Sequence, residues 1–266
     1  MKLSFFTKSF FVAVPLFLFP LLAAGQTILP GKVLYYTTDE LCHIYVTKPN
    51  FAVVKYTPDG KELYRYANTR LDEPTFTDAT DPFNILLFYQ EYQTVILLDR
   101  TMTETARLNF GDFDLFNVNA VGISSDNNLW VYDELNFRLK KMNRNGETIQ
   151  ESDDLGLLLN ANIKPNFITE RNQKVFVNDP DIGILVFDFF GQYIKTLDFK
   201  NLEEFQIFRD LLIFEDAERK TQTFHLKSLL TSPLPPTDEK LTFEKIRIQT
   251  GYLYGKNEEG IFILRL

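Results

Sequence analysis

The side chains able to bind a metal or act as a nucleophile are few in this chain of 266 residues. It has two histidines, His43 and His225, and a single cysteine, Cys42. The histidines fall in segments expected to form different strands, so a zinc site made of several histidines is not expected. Cys42 is next to His43, but neighbours on a strand point to opposite faces. We therefore predict that Cys42 is a buried, unreactive thiol.

Carboxylates remain as candidates for chemistry, because calcium needs only oxygen ligands. Five acids follow short apolar segments, at the points where strands are expected to end: Asp133, Asp179, Asp181, Glu215 and Asp216. They are either calcium ligands, with Asp133, Asp179 and Asp181 as the first choice, or solvated acids of surface loops. Apart from this calcium, we expect no cofactor.

The elements that position these residues come from a pattern that recurs six times. Each copy is a short apolar run, a polar kink, a second apolar run and often a glycine turn. Steps of 42, 44, 45, 37 and 40 residues separate the aligned positions Tyr45, Leu87, Val131, Phe176, Ile213 and Leu253. A period of about 40–45 residues built from short strands is typical of a β-propeller blade. We predict an all-β fold, a six-bladed β-propeller of four-stranded antiparallel blades, as a single domain over residues 26–266.

The third copy gives the clearest strand order within a blade. Its strands are predicted, from the inside outwards, at Ala120–Ser124, Leu129–Tyr132, Phe137–Met142 and Thr148–Glu151. Asn145-Gly146 signals the hairpin turn before the outer strand. Asp59-Gly60 and Gly191 mark the same turn in the first and fourth blades, whereas the second and fifth lack the glycine. Short helices are possible at Leu155–Ala161 and Asn201–Arg209.

The two ends of the chain predict how the ring closes. The sixth copy reaches Leu266 at the end of its third strand, and Thr27–Thr37 holds apolar residues without a blade of their own. We predict that part of Thr27–Thr37 pairs beside Ile261–Leu266 as the missing strand. Either Thr27–Pro30 or Val33–Tyr36 makes this pairing; alternatively, Val33–Tyr36 is only the innermost strand of the first blade.

Residues 131–146 resemble the repeat of the NHL-type propellers: an apolar strand ending in Asp, a kink with Asn and Arg, an apolar strand and a Gly turn. Here these are Asp133, Asn136, Arg138 and Gly146. The resemblance covers residues 26–266 in period and one blade in detail, since the other copies replace Asp133 and Arg138. The chain also resembles exported bacterial six-bladed propellers in this respect. The resemblance implies that Asp133 and Arg138 stabilise the blade as a pair, with a catalytic role as the alternative.

Strand parity sorts the loops between two faces of the disc. Connections between blades and turns between second and third strands share one face, here named the crossover face. Most acids fall on this face in the sorting, including Asp78 and Asp81, which predicts an acidic surface. Aromatic anchors within a polar rim suit protein binding, and the candidate contact residues are Asp112, Phe113, Asp114, Glu134, Asp179, Asp181 and Glu218. Alternatively, Phe113 packs between blades, and burial is the expectation for Phe116.

Residues 1–25 are predicted to be a secretory signal peptide. They combine two basic residues, an apolar run of about 13 residues and small residues before the expected cleavage point, namely Lys2, Lys8, Phe10–Leu22 and Ala23-Ala24-Gly25. A membrane anchor needs about 20 apolar residues, and Pro15 and Pro20 interrupt this run. We therefore expect export to the periplasm without a membrane span. No cysteine follows the run, so no lipid anchor is expected, and association with the outer membrane would require a partner.

Net charge limits the class of partner. After the predicted signal peptide, 26 basic residues face 36 acidic ones, a net charge of −10. This balance argues against nucleic acid as the main partner. The leading hypothesis is a non-catalytic interaction or scaffold module of the bacterial envelope, docking a protein with a basic surface. The alternatives are a metal-assisted hydrolase or lyase, using calcium or zinc at the channel mouth, and a glycan or peptide sensor with an aromatic-lined mouth.

Overall fold

Six four-stranded antiparallel sheets form a ring in the computed structural model, which describes residues 26–234 and 241–266. The predicted signal peptide, residues 1–25, lies outside the described residues. Each sheet is one blade, and its neighbouring strands are consecutive in the chain except for one pair in the last sheet. The prediction of a six-bladed β-propeller is confirmed.

The described residues form 24 strands, all of them in the blades and numbered along the chain. Blade one contains β2 (Tyr35–Thr38), β3 (Ile44–Thr47), β4 (Val53–Tyr56) and β5 (Glu62–Tyr66). Blade two contains β6 (Phe76–Asp81), β7 (Asn84–Tyr89), β8 (Thr94–Leu98) and β9 (Glu104–Asn109). Blade three contains β10 (Val121–Ile123), β11 (Leu129–Asp133), β12 (Arg138–Met142) and β13 (Thr148–Glu151).

Blade four contains β14 (Phe167–Arg171), β15 (Lys174–Asp179), β16 (Gly183–Asp188) and β17 (Tyr193–Leu197). Blade five contains β18 (Gln206–Phe208), β19 (Leu211–Glu215), β20 (Thr221–His225) and β21 (Thr231–Pro233). Blade six contains β22 (Lys245–Gln249), β23 (Tyr252–Asn257), β24 (Gly260–Arg265) and β1 (Thr27–Pro30). All six aligned positions of the repeat lie on second strands, as the pattern predicts.

Ring closure follows the first of the two alternatives. β1 pairs antiparallel with β24, with Thr27 opposite Ile263 and Pro30 opposite Gly260. Tyr35–Thr38 is instead the innermost strand of blade one. The sixth blade thus takes its outer strand from the other end of the described chain, and this pairing links blade six to blade one.

Tight turns before the outer strands explain the glycine signal. Gly60, Gly146 and Gly191 all have positive φ, a conformation that glycine adopts without steric cost. In blades two and five, Met102 (φ 62°) and Leu229 (φ 59°) adopt the left-handed conformation in the corresponding turn. The turn is therefore kept in these blades although its sequence signal is lost.

Helices are short and confined to connections. The helix α1 (Leu155–Leu159) matches the first expected helical segment, with Asp154 accepting from the Leu157 N–H as its N-cap. The second expectation, Asn201–Arg209, is wrong: part of it is strand β18, because innermost strands of this ring need only three residues. No helix among the described residues has the length and apolarity to cross a bilayer.

Candidate functional site

The predicted contact residues differ widely in their exposure. Asp112, Asp114, Asp181 and Glu218 are exposed on the crossover face. Phe113 is half-buried and packs against the core between blades two and three, with its ring against Gly146. Phe116, expected to be buried, is instead 51% exposed, because Leu115 and Val118 turn inwards in its place.

Two of the acids are buried for structural reasons. Asp179 is 1% exposed and accepts hydrogen bonds from the backbone N–H groups of Lys164, Asp181 and Ile182. Asp133 is 2% exposed and accepts from the N–H groups of Leu135 and Asn136. Each carboxylate thus satisfies the donors of a tight kink between second and third strands, so neither belongs to the exposed surface.

The expected pairing of Asp133 with Arg138 is wrong. The two residues are opposite each other in the strand register, but the Asp133 carboxylate lies 2.7 Å from Lys140 Nζ. The Arg138 guanidinium turns outwards to the Ser152 carbonyl and to Glu151. The blade-stabilising ion pair therefore uses a different base, two residues further along the strand.

The sorting of loops between the two faces by strand order is wrong for two acids, Asp78 and Asp81. Asp81 ends β6 beside the turn to β7, on the face opposite the crossover face. Asp78 is buried and accepts from the Ile123 N–H, 3.0 Å away. Both were sorted to the crossover face because the sequence did not reveal that β6 runs as far as Asp81.

The structure does not bring the predicted metal ligands together. Asp133 lies on blade three, Asp179 and Asp181 on blade four, and Glu215 and Asp216 on blade five. Within residues 26–234 and 241–266, no three His, Cys, Asp or Glu side chains are grouped as metal ligands. The two histidines are also apart. His43 Nδ1 lies 2.9 Å from Asp39 Oδ2 in blade one, whereas His225 Nδ1 accepts from backbone N–H groups in blade five.

Cys42 is only partly buried, not fully as predicted. It has a left-handed backbone (φ 69°), and its Sγ lies 3.6 Å from the Thr250 carbonyl oxygen. Burial raises the pKa of this thiol above its ordinary value. A thiol with a raised pKa holds little of the reactive thiolate at neutral pH.

Part of the crossover face carries loop segments that contain acids but no bases. The side formed by blades two to four, here named the acidic arc, consists of residues 90–93, 110–120, 134–137, 152–163 and 180–182. These segments contain no Lys or Arg and seven acids, namely Glu91, Asp112, Asp114, Glu134, Asp153, Asp154 and Asp181. The same segments expose five large apolar side chains: Tyr92, Phe116, Leu135, Leu157 and Leu158.

Hydrogen bonds join the loops of the acidic arc. Gln90 of blade two donates to Asn119 Oδ1 over 2.5 Å, and Asn119 in turn donates to Glu134 of blade three. The helix α1 lies against the kink of blade three, where the Leu155 N–H donates to the Phe137 carbonyl over 2.9 Å. Hydrogen bonds therefore connect the loops of blades two and three within the arc.

The mouth of the central channel lies beside the arc and has an aromatic floor. Phe76, Phe167 and Phe205 come from blades two, four and five and pack edge to face, with ring centroids 5.2 and 5.0 Å apart. A cavity of about 500 Å³ lies against Phe76 and Phe167, and its polar wall includes Lys164 and Glu203. Deeper in the channel, the space between the innermost strands is only about 30 Å³.

A charged cluster occupies the other side of the mouth. Glu204 forms ion pairs with Lys245 and with Arg247, the latter over 2.9 Å. The Tyr35 hydroxyl donates to Glu204 over 3.1 Å, and Lys245 Nζ lies 3.9 Å from the centroid of the Tyr35 ring. Four residues from three distant segments thus form one network at the mouth.

Burial sets the protonation of this cluster. It lowers the pKa of Lys245 to about 8, against the opposing effect of Glu204. Burial alone would raise the pKa of Glu204, but the charges of Lys245 and Arg247 hold it below its ordinary value. Perturbed groups of this kind in a cleft are candidates for function.

Sequence reasoning missed this cluster, although one signal was present. In Lys245-Ile246-Arg247-Ile248-Gln249, polar residues alternate with isoleucine on an innermost strand. Side chains alternate across a strand, and Arg247 and Gln249 do line the channel. An alternating charged row on an innermost strand therefore indicates the wall of the channel.

Comparison with known proteins shows the fold alone. No profile of a known protein family and no curated protein sequence matches the chain. The structure is similar to virginiamycin B lyase from Staphylococcus aureus (14% identity, 88% of this chain, 80% of that chain, TM-score 0.57). It is also similar to a streptogramin B lyase (14%, 88%, 79%, 0.55) and to the WD40 domain of Neurospora crassa Pan2 (11%, 89%, 76%, 0.51). Membership of the NHL-type group stays a prediction.

Proposed function

We propose that the protein is a non-catalytic interaction module that docks a partner protein on the acidic arc. One observation carries the proposal: five exposed apolar side chains lie among seven acids in loop segments that contain no Lys or Arg. Apolar anchors within a polar rim are the usual anatomy of a protein interface. The turns beneath are fixed by hydrogen bonds, so docking needs little ordering of the loops.

Charge complementarity defines the partner. A protein with basic residues around an apolar patch would be steered to the arc and held there by the apolar contacts. We further propose, from the composition of residues 1–25, that the protein is exported. It would then act in the periplasm as a subunit of an envelope complex, reaching the outer membrane only through its partner.

The test uses the purified propeller and the partner identified by native co-purification. Leu157→Ser removes an apolar side chain that is 83% exposed, so it should not alter folding. It should cost more than about 1 kcal/mol of binding, roughly fivefold in Kd. The double variant Asp112→Lys with Asp153→Lys should slow association and weaken its salt dependence, because the net charge of the arc segments falls from −7 to −3. Asp114 is avoided because its backbone is left-handed (φ 56°).

The matched control is Glu218→Lys, an exposed acid on blade five of the same face, outside the arc. Its Kd should stay within about twofold of the native value. If the control weakens binding as much as the arc variants do, general charge rather than the arc governs the interaction. If no variant changes Kd, the partner binds elsewhere.

The hypothesis of a metal-assisted hydrolase or lyase remains the alternative. Elemental analysis of the purified protein distinguishes the two. One tightly bound calcium or zinc ion per chain would favour the enzyme, and such an ion should be lost on dialysis against chelator together with any hydrolytic activity.

A further inference from the structure

The cleft between blades five and six contains a second cavity, which lies outside the acidic arc. It has a volume of about 260 Å³ and is lined by side chains from blades five and six and the connections beside them. Exposed residues, including Glu203, Ala217 and Glu244, form its rim on the crossover face. Its volume is slightly below the range of about 300–1,000 Å³ typical of sites for drug-sized ligands, which restricts it to a small ligand.

A buried cationic end forms one wall of this cavity. Lys245 and Arg247 both line it, and they share a single carboxylate, Glu204. Both hydrogen bonds that the Arg247 guanidinium makes to described side chains come from Nη2. Its Nε–H is buried and has no acceptor among the described residues. Two cations against one carboxylate leave room for a further anionic acceptor.

A carboxylate with an exposed partner lines the same cavity. Glu215 forms its ion pair, among the described residues, with Arg219, 3.5 Å away and with a side chain 77% exposed. An ion pair with so exposed a partner contributes little. Burial raises the pKa of Glu215 above its ordinary value. The surroundings of Glu215 therefore favour a cationic group.

The remaining acids of the lining are already satisfied or exposed. Glu244 pairs with Lys256 over 2.6 Å, and Asp216 accepts from Gln222 Nε2 over 2.7 Å. Among the described residues, five acids and three bases line the cavity, so a purely anionic ligand would meet net repulsion from them. A ligand with both charges would complement Lys245 and Arg247 with its anionic group and Glu215 with its cationic group.

We propose that the cavity between blades five and six binds a small zwitterion of the amino-acid class. Its carboxylate would lie against Lys245 and Arg247, and its ammonium group against Glu215. The proposal goes beyond docking on the acidic arc, and neither depends on the other because the two sites lie on different blades. It would give the propeller a ligand-binding function in addition to its protein interface.

The experiment measures the binding of named probes to the full protein by calorimetry and by the shift in melting temperature. The probes are the twenty free L-amino acids and the dipeptide glycylglycine, each at up to 10 mM. N-acetylated and carboxamide forms of every binder are the chemical controls. At least one zwitterion should bind and raise the melting temperature, and blocking either charge should weaken it by about tenfold or more. Free amino acids and glycylglycine distinguish a single residue from a peptide.

Glu215→Gln tests the ammonium end, because it preserves shape at a partly exposed position. It should reduce the affinity for the zwitterion about tenfold. It should leave unchanged the weaker affinity for the N-acetylated form, which has no ammonium group. Glu218→Gln, in the same turn but outside the cavity, should bind like the native protein. Lys245→Gln should weaken the carboxylate end, with circular dichroism confirming the fold. Absence of binding by every probe, or equal binding of acetylated forms, would overturn the proposal.

Discussion

Blades two and three meet in a very different way from blades five and six. Among the described residues, the first pair buries thirteen apolar side chains in one cluster, including Phe110 and Leu97. The second pair buries three, namely Ile213, Ile248 and Leu253. In the second cleft, charged and amide side chains take the place of apolar ones, and a cavity of about 260 Å³ remains.

This difference shows how one repeat can serve two purposes. Apolar side chains from both sheets close the first cleft, which gives the acidic arc a rigid base. In the second cleft, the ion pairs of Glu204 gain attraction but lose hydration, so they add little net stability. That side of the ring has less apolar packing, and its polar groups are available to bind a ligand.

The largest expected effect is alkaline destabilisation. Burial raises the pKa values of Tyr36, Tyr45 and Tyr254 above the ordinary 10.0. They ionise near pH 10 once unfolded, so the stability they contribute is complete below pH 10 and is lost as the pH rises towards their folded values. Three such tyrosines cost about 4 kcal/mol for each pH unit above 10. Urea unfolding between pH 7 and 11.5 measures this slope.

Titration of Lys245 changes the free energy of unfolding in the opposite direction. Its folded pKa of about 8 lies below the ordinary 10.5, so its contribution to stability rises as the pH goes from 8 to 10.5. The free energy of unfolding should therefore peak near pH 10 before it falls.

Urea unfolding of two tyrosine variants, one on each side of the ring, tests these effects. The Tyr36 hydroxyl donates to the carbonyls of Lys245 and Tyr254, both over 3.0 Å. The Tyr132 hydroxyl is buried with no partner among the described residues, and burial raises its pKa as well. Both Tyr36→Phe and Tyr132→Phe should flatten the alkaline slope, but only Tyr36→Phe should cost about 1 kcal/mol at pH 7. Equal costs at pH 7 would refute the assigned hydrogen bonds.

Matched truncations measure the packing of the two clefts directly. Leu86 and Leu253 are both buried leucines on second strands, the first between blades two and three and the second between blades five and six. We expect Leu86→Ala to cost about 4 kcal/mol and Leu253→Ala about 2, within the range known for such changes. The difference arises because Leu253 has few buried apolar neighbours. Chemical denaturation with a constant m-value checks both, and equal losses would contradict the comparison.

The sequence predicted the ring better than the site, for a physical reason. Each blade carries its own apolar runs and turn, so the same signal is repeated six times and errors in one copy, as in blades two and five, are tolerated. The cluster at the mouth joins Tyr35, Glu204, Lys245 and Arg247, which only the closed ring brings together. Side-chain direction was equally hidden, since Asp133 contacts Lys140 and not the Arg138 opposite it.

The smallest losses among the truncations are expected at amide side chains, the first of which joins blades five and six. Gln206 Nε2 donates to the Ile248 carbonyl over 2.7 Å, and its Oε1 accepts from the Ile248 N–H over 2.9 Å. Gln206→Leu would leave both backbone groups unpaired, which costs about 1–3 kcal/mol for each in a dry core. Gln206 borders the cavity, so water can reach these groups and we expect a total of only about 1–2 kcal/mol. Gln222→Leu, whose bond to Asp216 lies nearer the surface, should cost less than about 0.5 kcal/mol. A loss above about 3 kcal/mol for Gln206→Leu would mean that the cleft is dry, and a polar ligand would then have no path between the two blades.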